Sequence, residues 1–169
     1  DFLVGSLIFL IGVDLGFDEK TIGNVKKAGL LIFLFPLFNI IGTTIGAIVS
    51  SIFCRMDIWD ALALGEGYAW FSIAPSLLLK YGLIEPAAIS FLHNVLREIF
   101  SIIFIPIVAK KVGYIECICL SGAASMDDCL PIIEKSTTPA VAIYGFVSGV
   151  VLTAAVPIIT PFFASIAMR

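Results

Sequence analysis

Hydrophobic residues run along this chain in long blocks separated by short polar stretches, and the spacing within each block predicts helices throughout. Residues 28–54 form an uncharged run in which Gly42, Thr43, Thr44, Gly46 and Ser50 make a small-residue face suited to close helix packing. Residues 86–109 form a second span, opened by Pro86 and closed by Lys110 and Lys111. Residues 139–168 form a third. Straight, it would be about 45 Å long, more than a bilayer core needs, and Pro157 and Pro161 are expected to bend it. Residues 2–16, with Asp14 between glycines, fall short of a core of about 30 Å at about 1.5 Å per residue. A polar loop over 17–27 follows.

Two blocks are interrupted. In 57–79, Asp60, Gly65, Glu66, Gly67 and Pro75 break a run that also carries Tyr68, Trp70 and Phe71. This pattern fits a discontinuous segment lining a cavity, and equally an amphipathic entry helix with an aromatic interfacial belt. In 114–134, the string Ser121-Gly122-Ala123-Ala124-Ser125-Met126-Asp127-Asp128-Cys129-Leu130-Pro131 sets small residues, two carboxylates and a proline at membrane depth. A lipid-facing helix does not tolerate that, so a backbone break within 121–131 and a re-entrant or discontinuous element are expected. The fold class is therefore all-α: a polytopic integral membrane helical bundle with discontinuous helices, one transmembrane domain over 1–169.

Composition agrees with this reading. Of 169 residues, 60% are hydrophobic and 14% charged, and the mean hydropathy is +1.10. A soluble domain of this size has no way to bury so much apolar surface. The net charge of -3 and the scattered basic residues exclude nucleic acid as a partner. Cys54, Cys117, Cys119 and Cys129 lack metal-ligand spacing and read as small apolar thiols, so no cofactor or metal is expected. The start at Asp1, without a basic region before the apolar run, suggests no signal peptide. It also suggests a fragment, or one half of a transporter with a separate N-terminal half or a homo-oligomeric partner. Lysines on both sides of the spans leave orientation open.

Candidate chemistry lies in the span over 86–109. Ser90, His93, Asn94, Arg97, Glu98 and Ser101 fall within an arc of roughly 140°, opposite Leu92, Val95, Leu96, Ile99, Ile102 and Ile103. Arg97 and Glu98 stand mid-span, where ionised groups facing lipid cost several kcal/mol, so the polar stripe must turn inward. Glu98 and Asp127 are placed to bind protons or a cation, and Glu66 and Asp14 are weaker candidates. Ser125, His93 and Asp127 are the residue types of a hydrolytic triad, but no nucleophile elbow or metalloprotease signature accompanies them, and no enzyme is expected. The same pattern suits a carrier of another small solute, such as a sodium-coupled organic anion, or a non-catalytic membrane subunit.

Several strings resemble the lysine exporter family, once catalogued as a membrane family of unknown function. They are Gly67-Tyr68-Ala69-Trp70-Phe71-Ser72, Leu96-Arg97-Glu98 in an Ile-rich helix ending Ile105-Pro106, and Gly122-Ala123-Ala124-Ser125-Met126-Asp127 followed by Leu130-Pro131. The opening Leu7-Ile8-Phe9-Leu10-Ile11-Gly12-Val13 is similar to the start of that family's second half. The resemblance covers nearly the whole chain. It implies export of L-lysine and toxic lysine analogues across the plasma (inner) membrane in exchange for protons, with the two essential acidic residues at Glu98 and Asp127. The substrate- and proton-binding set expected from both lines is Glu98, Asp127, Asn94, Arg97, Trp70, Tyr68, Ser125 and Glu66. Its ligands are a lysine-like cation and protons, in a setting of membrane lipids.

Overall fold

The computed structural model describes residues 29–168, and the expectations for the 2–16 span, Asp14 and the 17–27 loop lie outside the described residues. A 3-10 turn over Gly29–Phe33 leads into α1, Leu34–Cys54, with Pro36 in its first turn, where a missing N–H costs nothing. The helix stops where Arg55 takes a left-handed conformation (φ 53°), and the Met56 N–H returns 3.1 Å to Ser51 O. Asp57 starts α2, Ile58–Gly65, by accepting the Trp59 N–H at 2.9 Å.

The run over 57–79 then breaks at Glu66 and Gly67 and resumes as α3, Ile73–Lys80. Between the halves, Tyr68 (φ 47°) and Ala69 (φ 70°) turn the chain through the left-handed region. The longest central helix, α4, covers Ile84–Lys111. Next comes the second interruption: α5, Ile118–Ser121, a 3-10 segment over Gly122–Met126, and α6, Leu130–Ser136. Finally α7, Pro139–Ala167, is capped by Thr138 and runs as one helix through Pro157 and Pro161.

Three helices, α1, α4 and α7, are long and apolar enough to cross a bilayer, and among the described residues there is no strand. The chain is a multi-pass, all-α membrane bundle. Its broken elements occupy the interior: α7 packs along the 3-10 segment and α2, α1 packs on α2, and α3 on α4. The core is small-featured there, with Ala61, Leu62, Ala63, Leu64 and Gly65 of α2 all buried. Close packing of this kind replaces the hydrophobic drive that lipid does not supply. Leu92, Leu96, Ile99 and Ile103 of α4 are exposed, while Ser90, Asn94 and Ser101 are buried and His93, Arg97 and Glu98 half-buried. The polar stripe faces protein and the apolar stripe faces outward.

Candidate substrate-binding site

The two breaks cross. The Ala123 N–H, at the start of the second break, donates to Tyr68 O of the first at 2.7 Å. Gly122 makes this approach possible. Its φ is +60°, and a Cβ there would stand 2.5 Å from Tyr68 O. Backbone freed by each break must find partners inside the protein, and it does. Asn94 Oδ1 accepts the Ala69 N–H at 2.8 Å, while its amide donates to Ser90 O at 2.8 Å. Ser90 Oγ donates to Leu64 O and Thr160 Oγ1 to Glu66 O, each at 3.2 Å. Ser125 Oγ sits between Gly122 O (2.7 Å) and Gly145 O (2.8 Å), fastening the 3-10 segment to α7.

On one side of the crossing lies a cavity of about 150 Å³, walled by Trp70, Ser72, Glu98, Asp127, Asp128 and Thr153 above Ala123, Ala124 and Met126. Three carboxyl groups from two elements converge here. Glu98 lies beside Asp128 and in the field of Asp127. Among the described residues, no basic side chain lines the cavity.

The expected site residues thus separate into groups. Glu98, Asp127 and Trp70 share the cavity; Asp128 joins them, as does Thr153 of α7. Tyr68 is fully buried, and its hydroxyl bonds Glu66 Oε2. Glu66 is itself fully buried, with Thr44 Oγ1 2.6 Å from its other oxygen. Asn94 and Ser125 hold backbone at the crossing. Arg97 reaches the far side, donating to Leu120 O (3.2 Å), Thr43 Oγ1 (3.3 Å), Asn39 Oδ1 (2.9 Å) and Cys119 O (3.5 Å). It thereby satisfies carbonyls left open where α5 ends. The small-residue face of α1, read from the sequence as packing only, supplies Thr43 and Thr44 to these bonds. Asn39 went unremarked in that reading; it also donates to Cys119 O at 3.0 Å.

The profile of the family described as lysine exporter LysO matches residues 1–164. The lysine exporter LysO of Escherichia coli is 26% identical over 166 residues, which are 94% of this chain and 52% of that protein. A curated Haemophilus influenzae protein is 29% identical over 167 residues, 95% of this chain and 81% of its own length. The chain thus spans about half the length of the Escherichia coli relative. No solved structure matches it.

Proposed function

The chain belongs to the lysine exporter LysO family, and from that premise we propose that it supplies the cation-binding half-site of an exporter of L-lysine and lysine analogues, which exchanges them for protons across the plasma (inner) membrane. The observation that carries this reading is the convergence of Glu98, Asp127 and Asp128 on one cavity that has no basic residue in its walls among the described residues. An ammonium group entering it meets compensating charge in a medium where that attraction is strong, and Trp70 offers a ring face for cation–π contact.

Coupling follows from competition for the same carboxyls. With the cavity empty, a proton occupies the acidic cluster and relieves the repulsion among its like charges. An arriving ammonium supplies the positive charge instead, and the proton leaves to water. On the other face of the membrane a proton returns and the ammonium is displaced. One acidic cluster alternates between two cations and holds one at a time. The chain has no enzymatic role in this scheme.

The test is lysine-driven proton movement in sealed vesicles carrying the full-length protein. Glu98→Gln and Asp127→Asn should each lower the coupled flux by about tenfold or more, the cost of roughly 1.4 kcal/mol of lost charge interaction. Asp128→Asn should fall with them, since its carboxyl lines the same cavity. Normal coupling in Glu98→Gln would overturn the reading.

A further inference from the structure

A second cavity, of about 320 Å³, opens between α1, α2 and α4, with Arg97 in its wall. Arg97, His93, Thr43 and Ser50 supply its polar lining, Gly46 and Ala47 part of its wall, and no carboxylate of the described residues lines it. Arg97 has five N–H groups, and its four hydrogen-bond partners are all uncharged. The uncommitted hydrogen is on Nη1, the nitrogen that bonds Thr43 on the cavity wall. His93 Nδ1 is buried there with no hydrogen-bond partner among the described residues. Glu66 attracts the guanidinium at longer range, but its own oxygens are taken by Thr44 and Tyr68.

We propose that this basic cavity is a carboxylate subsite, receiving the α-carboxylate of the exported amino acid. The assignment rests on amino-acid export as argued above. Such a substrate brings a carboxylate as well as ammonium groups, and three acids would repel it from the first cavity. Arg97 and Glu98 are consecutive on α4, about 100° apart around its axis, so one helix presents opposite charges to its two flanks. Gly122 lies against the guanidinium: Arg97 Nη2 is 3.3 Å from where a Gly122 Cβ would stand. The remaining Nη1 hydrogen is suited to a charge-assisted bond with a carboxylate in a poorly hydrated site.

The test compares L-lysine with L-lysine methyl ester and 1,5-diaminopentane, which lack the free carboxylate, as competitors for export by the full-length protein in vesicles. Two variants are used. Arg97→Lys keeps the charge and loses the guanidinium's fixed donor geometry. Gly46→Leu fills the cavity from a position where an added Cβ meets nothing within 4 Å. The wild type should prefer lysine to both analogues by about tenfold or more, and each variant should lose that preference while the analogues compete as before. If Arg97→Lys does not accumulate, Gly46→Leu decides. An unchanged preference, a wild type without one, or an equal fall for all three compounds overturns the subsite. The acidic-cavity reading stands or falls separately, on whether lysine export needs Glu98.

Discussion

Asn94 shows how one side chain holds a broken backbone together. It is fully buried, accepts the Ala69 N–H and donates to Ser90. Asn94→Leu would leave that amide unpaired in the membrane interior and should cost about 1–3 kcal/mol. Thermal unfolding in detergent would read the loss, and faster hydrogen exchange at the Ala69 amide would localise it. Gly122→Ala should cost about as much, about 1–3 kcal/mol, from backbone strain alone, before counting the clash with Tyr68 O. Gly46→Ala, with open space around it, is the control and should melt with the wild type. At this scale the sequence was legible for Glu98, Asp127 and Trp70, because mid-membrane charge and an aromatic beside a glycine break carry their own warrant. It was not legible for Asp128, whose direction depends on how the chain turns after Asp127. Thr43 and Thr44 were hidden for another reason: the groups they bond, Arg97 and Glu66, lie 54 and 22 residues away.

Among elements, α4 divides most cleanly. Ile105 is fully buried whereas Ile103, two residues earlier, is 53% exposed. Ile105→Ala should destabilise by about 2–5 kcal/mol, and Ile103→Ala should change stability by less than about 0.5 kcal/mol, both measured by unfolding in detergent. The period of 3.6 made this division readable in advance, since six polar residues within one arc leave only one face for the protein interior. The two interruptions were readable as well, from glycines, carboxylates and Pro131 where an unbroken helix has no use for them. Their crossing was not. A hydrogen bond between Ala123 and Tyr68 joins backbone atoms, and backbone atoms leave no mark in the pattern of side chains. For α7, one helix runs through both prolines, in a segment packed along the 3-10 turn and α2.

The described residues turn large apolar side chains outward around an interior that also holds the polar stripe and its cavities, and the two tryptophans sample the two environments. Trp59 is 39% exposed and stacks on Phe163, whereas Trp70 lines the acidic cavity. In single-tryptophan variants (Trp70→Phe and Trp59→Phe), brominated lipid should quench Trp59 more strongly than Trp70. Added lysine should change the emission of Trp70 and leave Trp59 unaltered. Equal responses from both would argue against the cavity as the place where the substrate sits.

The Ala123–Tyr68 bond also bears on how this scaffold is read by genetics. Its donor and acceptor are main-chain atoms, so no exchange of side chain deletes either, and a scan that truncates each residue to alanine passes over it in silence. Position 123 is already alanine. Proline is the one natural replacement that removes the donor, and Ala123→Pro should therefore abolish accumulation of the protein while other small replacements at position 123 pass. The joint on which both interrupted helices depend is thus among the places least visible to the usual mutational survey. Intolerance around it should surface at Gly122, the residue that lets it close, and not at the atoms that form it.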